Sequence, residues 1–130
     1  MSILTTPFTT KYNAAPFSKI ENKEYKDAFI QLIKDAKEEI NAIINNPEPP
    51  IFENTVAALD FSGSQLDRVS SIFFNLNSAE TSEEMQKIAQ EVSPLLTEFS
   101  NDITLNEDLF KKIKFLTKTL FFWEGWCYPF

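Results

Sequence analysis

Two pairs of adjacent carboxylates, Glu38-Glu39 and Glu83-Glu84, and one thiol, Cys127, are the side chains whose type and spacing invite a chemical reading. Paired carboxylates do acid–base work when they face each other and one of them keeps its proton. Here each pair is made of neighbours in a helical pattern, a placement that leaves both groups solvated. A reactive cysteine needs a histidine or another neighbour that lowers its pKa. The chain contains no histidine. That removes Ser-His-Asp and Cys-His catalysis, and it removes His-ligated zinc, for which one cysteine cannot compensate. No residue is therefore assigned a catalytic or metal-binding role. Cys127 reads as inert, and as the single cysteine it excludes an internal disulfide.

The charge balance narrows the partners. Twelve Lys and Arg against nineteen Asp and Glu leave a net charge of −7. Nucleic-acid binding needs clustered basic residues, and anionic membrane surfaces attract them, so neither partner is expected. No stretch approaches the roughly 20 apolar residues of a membrane span. The N-terminal residues show no basic segment followed by an apolar run, so no secretory leader is read there.

A chain of 130 residues with only two glycines fits one helical domain. Residues 1–21 read as an extended arm, since Pro7 and Pro16 hold their neighbours out of the helical region. Phe8, Tyr12 and Phe17 are its expected anchors. A first helix is predicted over about residues 23–46, with Asn22 as its cap. Its apolar positions, among them Tyr25, Phe29, Leu32, Ala36, Ile40 and Ile43, recur every three or four residues and cover an arc of roughly 160°. Pro47, Pro49 and Pro50 end it.

A second helix is predicted over about residues 53–75. Its apolar set includes Phe52, Leu59, Leu66, Val69 and Phe73, and Phe61 and Phe74 widen the arc to roughly 200°. That breadth predicts a helix between neighbours. Gly63 falls within the arc, which suggests close approach of another helix there. Thr81-Ser82-Glu83-Glu84 reads as a capping box with Thr81 as cap. The third helix follows, with Met85, Ile88, Val92, Leu96 and Phe99 on one face and a kink or break expected at Pro94. A fourth starts at Asn106, with Leu105 and Phe110 placed as a hydrophobic staple. The expected fold is all-α: about four helices in an up-down bundle-like arrangement behind an extended N-terminal arm.

From residue 115 the pattern changes. Seven of the last sixteen residues are aromatic, without a clean helical or alternating period. Such an end is sticky unless something covers it.

Four ordered strings carry a resemblance: PFSKIENKEYKDAFIQLI, INAIINNPEPPIFENTVAALDFSG, LDRVSSIFFNLNSAET and EVSPLLTEFSNDITLNEDLF. Together they resemble the N-terminal region of the thimet oligopeptidase-like zinc metallopeptidases, nearest to the peptidyl-dipeptidase and oligopeptidase A branches. The resemblance spans about residues 3–114; residues 115–130 depart from it. It implies an almost wholly helical cytoplasmic enzyme, with these helices forming part of the wall of a channel that admits short peptides. It places the zinc on a His-Glu-x-x-His helix far downstream, outside this chain. The partners it implies are short peptides and the remainder of the peptidase chain. Within that frame the run Ile72-Phe73-Phe74-Asn75-Leu76-Asn77-Ser78 is the candidate channel lining, with Asn75 or Asn77 donating to a substrate backbone. The competing reading of the run is core aromatics followed by an ordinary helix end. For the whole chain the alternative is a stand-alone helical interaction module without catalysis.

Overall fold

The structure is a computed structural model that describes residues 3–123. Among these residues it is helical, with no strand. The helices are α1 (Asn22–Asn45), α2 (Ala58–Phe61), α3 (Ser64–Ala79), α4 (Glu83–Thr104) and α5 (Glu107–Trp123), with a π-helical turn, Phe52–Ala57, leading into α2.

Each start has a local cause. At α1 the cap is Glu21 and not Asn22: the Glu24 carboxylate accepts the Glu21 N–H at 3.0 Å. The Asn22 amide instead donates to Glu84 across the bundle, at 3.0 Å. At α4 the cap is Ser82, whose hydroxyl accepts the Met85 N–H at 3.2 Å. Thr81 is displaced from that role, and its hydroxyl donates to the Asn77 side chain at 3.0 Å. Asn106 caps α5 as expected, its side chain accepting the Leu109 N–H at 2.9 Å. The proposed staple is not a buried contact, since Leu105 and Phe110 are 77% and 61% exposed. Helix α4 runs unbroken through Pro94, on an exposed side where water can take the carbonyl that Pro94 leaves without a donor.

The predicted second helix is two pieces. Gly63 has φ +71°, a left-handed conformation that stops α2 at Phe61 and opens α3 at Ser64. The Ser62 hydroxyl donates to the Leu59 carbonyl at 2.6 Å, and the Glu39 carboxylate on α1 accepts the Gly63 N–H at 2.8 Å.

Contacts along α1 show the topology. Ala36 lies beside Gly63, while Tyr25 and Phe29 pack on Phe73, so α3 runs antiparallel to α1. Lys26 pairs with Glu91 at 2.9 Å and Lys37 with Asp102 at 2.7 Å. Both residues advance together, so α4 runs parallel to α1, as an up-down-up order requires. Helix α5 packs on α1 and on the π-helical turn, and Lys112 Nζ donates to the Asn46 carbonyl at 2.7 Å. It continues through residue 115 without a break.

The core is formed by Leu4 from the arm, Tyr25, Phe29, Leu32 and Ala36 from α1, Leu66, Val69 and Phe73 from α3, and Met85, Ile88 and Val92 from α4. Phe73 is at its centre. Its ring lies 5.0 Å from Tyr25, 5.5 Å from Phe29 and 5.2 Å from Phe74, in tilted and edge-on geometries. Of the expected arm anchors only Phe8 is buried, beneath the Arg68 guanidinium at 4.3 Å. Arg68 also donates to the Thr6 carbonyl at 2.9 Å. Tyr12 and Phe17 are exposed, because a three-residue turn at each places the ring outside the arm's contact with the bundle.

The Tyr25 hydroxyl is buried and has no hydrogen-bond partner among the described residues. Burial also pushes its pKa up. An unpaired buried hydroxyl costs about 1–3 kcal/mol. Tyr25→Phe is therefore expected to hold or raise the urea midpoint; a drop of more than about 1 kcal/mol would show that the hydroxyl is bonded in solution.

Candidate functional site

The three prolines after α1 turn the chain back on itself, and a small set of amides shapes the return. Asn46 accepts the Glu48 N–H at 2.9 Å. Asn54 accepts the Ile51 N–H at 2.9 Å and donates to the Pro49 carbonyl at 3.0 Å. These bonds place the π-helical turn and α2 antiparallel to the last turns of α1. Between the two arms of this helical hairpin lies an open groove of about 380 Å³.

Its lining follows the hairpin. Ala42, Ile43, Ala58 and Phe61 wall it, and Asn46 and Asn54 close the end near the turn. Two alanines supply the space, since any larger side chain there would fill it. Phe61 stands at the rim, 75% exposed. Phe52 on the same returning segment is 57% exposed. The sequence pattern placed both rings on a buried arc. They are exposed because the break at Gly63 turns their segment away from the axis of α3, which alone keeps the apolar arc inside.

The groove has the size and apolar walls to take an apolar group, and its hydroxyl is not set up as a nucleophile. The nearby hydroxyl, Ser62, spends its proton on the Leu59 carbonyl, and the chain has no histidine to take it instead. Glu39 at the far end accepts the Gly63 N–H. A second crevice, of about 240 Å³, lies between α1 and α4 beside Ile40, Phe99 and Ile103 and is bounded by the Lys37–Asp102 pair.

The other candidates of the sequence are dispersed. Glu39 sits beside Gly63, whereas Glu84 meets Asn22 at the opposite end of α1. At 1.5 Å per residue those ends are about 25 Å apart, so the carboxylate pairs do not face each other. Asn75 and Asn77 are both on α3, two residues apart and thus on different faces. Asn75 is exposed. Asn77 is half-buried and ties the α3–α4 turn through Thr81. Neither lines the groove. Cys127 lies outside the described residues.

The perturbed titrations mark ion pairs and burial, not a reactive centre. The Lys26 ammonium bonded to Glu91 holds that carboxyl below its ordinary range, and Glu91 in turn raises Lys26. The same holds for Glu21 with Lys23, and Lys37 is raised by its bond to Asp102. Burial lowers Arg68. The Glu91 pair adds stability above the ordinary glutamate range and loses it as pH falls through the folded value. Lys26 adds stability below the ordinary lysine range and loses it as pH rises through the folded value. The pair is well exposed, so its contribution is small and salt-sensitive.

Histidine is absent from the sequence, and among the described residues no three Cys, Asp or Glu side chains converge on a point. No helix there is long and apolar enough to cross a membrane.

No protein-family model matches the chain. Individual proteins do. Over 105 residues, 81% of the chain, it is 41% identical to a dipeptidyl carboxypeptidase of Escherichia coli. It is 40% identical over 102 residues, 78% of the chain, to the dipeptidyl carboxypeptidase of Salmonella typhimurium. Oligopeptidase A of Escherichia coli is a more distant relative, 29% identical over 108 residues, 83% of the chain. In each case the similarity takes in only 15–16% of the relative, so the chain spans a small fraction of their length.

Proposed function

Starting from a chain homologous to dipeptidyl carboxypeptidases over four-fifths of its length, we propose that it is a non-catalytic segment of a zinc metallopeptidase that hydrolyses short peptides. The observation that carries this is the 41% identity over 105 residues with a protein of that name. In this reading the bundle is the N-terminal scaffold of the peptidase and part of the wall of its peptide channel. The parent is cytoplasmic, its zinc is bound by residues outside this chain, and its partners are short peptides and the remainder of the peptidase. Residues 1–114 are the peptidase-like region and 115–130 depart from it.

Within the wall, Asn75 is the better candidate for contact with a substrate backbone. Its side chain is exposed, whereas Asn77 is engaged by Thr81.

Two proteins test the reading. The purified chain is expected to show no chelator-sensitive cleavage of a quenched fluorescent peptide; turnover that a chelator abolishes sinks the non-catalytic assignment. A chimera of Escherichia coli dipeptidyl carboxypeptidase, with its aligned residues replaced by those of this chain, is expected to cleave the same peptide. In that chimera Asn75→Ala should raise KM several-fold, equivalent to about 1 kcal/mol for one hydrogen bond, with Tm unchanged. A folded chimera without activity favours the stand-alone interaction module, for which the exposed Phe52 and Phe61 speak.

A further inference from the structure

We propose that the groove between α1 and α2, with Phe61 at its rim, is the seat on which the remainder of the peptidase docks. The inference rests on the peptidase-segment reading and adds to it the surface and the chemistry of the contact.

Four observations single out this surface. The groove is a shaped depression of about 380 Å³, enough for one or two large side chains. Its walls are apolar, from Ala42, Ile43, Ala58 and Phe61. Phe61, at 75% exposure, leaves most of its surface to water, and burying such a ring is among the larger gains an interface can make. The segment is also held stiffly. Asn54 braces the π-helical turn through two hydrogen bonds, and Glu39 holds Gly63 just beyond Phe61. A pre-shaped site loses little entropy on being filled.

The occupant follows from length and charge. The homologous dipeptidyl carboxypeptidases carry this stretch in one chain with the other 85% of their length. In such a chain that remainder is held at high effective concentration. A second copy is the poorer occupant. At −7 per chain, two copies repel, and the one charged residue lining the groove, Glu39, is acidic. The fitting partner surface therefore carries one or two large apolar side chains with Lys or Arg at its rim.

The test compares Phe61→Asp and Phe61→Leu in the isolated chain and in the chimera. In the isolated chain both variants should melt as the wild type does, because Phe61 contributes little to its core. In the chimera Phe61→Asp should shorten the half-life at a fixed elevated temperature by about tenfold or more, while Phe61→Leu keeps most of it. An active chimera whose half-life is unchanged by Phe61→Asp overturns the docking proposal and leaves the peptidase-segment reading standing. Sedimentation gives a second way to fail. A wild-type dimer of the isolated chain that Phe61→Asp dissolves makes a second copy the occupant. A chimera that neither folds nor cleaves with Phe61 intact overturns the parent reading and this proposal together.

Discussion

Phe73→Ala should remove about 3–5 kcal/mol from the folding free energy of the isolated chain. Phe73 is fully buried, and its ring touches three other aromatic rings on two helices. Truncation removes the transfer energy of the ring and leaves a cavity. The surrounding rings cannot collapse into it without leaving α1 and α3, whose backbones are held by their own ladders. A domain of this size has about 5–15 kcal/mol in total, so the variant should be partly unfolded or close to it at 37 °C. Urea unfolding followed by far-UV circular dichroism measures the loss. A change under about 1 kcal/mol would mean that the Tyr25–Phe29–Phe73 cluster is not the centre of the core. Phe61→Leu serves as the contrasting control, since it alters an aromatic ring outside the core.

Gly63→Val should cost about 2–3 kcal/mol, and Gly63→Ala about 1–2 kcal/mol. The reason is the backbone and not the space. A Cβ at residue 63 would meet the nearest neighbour, Ala36 Cβ, at 3.6 Å, which is an ordinary contact. The φ of +71° is the obstacle, because an L side chain there crowds its own carbonyl. Asparagine tolerates this conformation better than alanine. The predicted order of stability is therefore Gly, Asn, Ala, Val. Were crowding the cause, Asn would be worse than Ala, and that inversion in the measured midpoints would refute the conformational account. Loss of the turn should also disturb the groove, since Phe61 and Ser62 immediately precede it.

The two sites show how far a sequence can be read. Of the apolar positions predicted for the first helix, Tyr25, Ala28, Phe29, Leu32, Ala36, Ile40 and Ile43 are buried in α1 and Ile33 and Ile44 are half-buried, and Asn106 caps α5. Such features are written locally. A stripe at a period of 3.6 has one face to bury, and a cap bonds within its own turn. Thr81 and Ser82 mark the limit of that locality. Either hydroxyl suits a cap, and the side chain of Asn77 one turn earlier captures Thr81 and leaves Ser82 to do it.

Phe52 and Phe61 mark a larger limit. Their spacing continues the apolar stripe of α3, yet both are exposed. One left-handed residue between them and Leu66 rotates one half of the stripe out of register with the other. A glycine in the sequence is compatible with that break and with an unbroken helix alike. The groove was not legible for the same reason. It is a property of the hairpin, made where Ala42 and Ala58 come opposite each other across the proline turn.

By itself the sequence determined the all-helical class, the buried face of α1, the absence of a histidine-based centre and the kinship with dipeptidyl carboxypeptidases. These depend on residue type and short-range spacing, which the chain carries in any conformation. The tertiary structure alone decided that Phe8 and not Tyr12 or Phe17 anchors the arm, and that Phe61 stands exposed over a groove. Those outcomes depend on which distant segments meet. An apolar side chain is buried only where the rest of the chain supplies a surface to cover it.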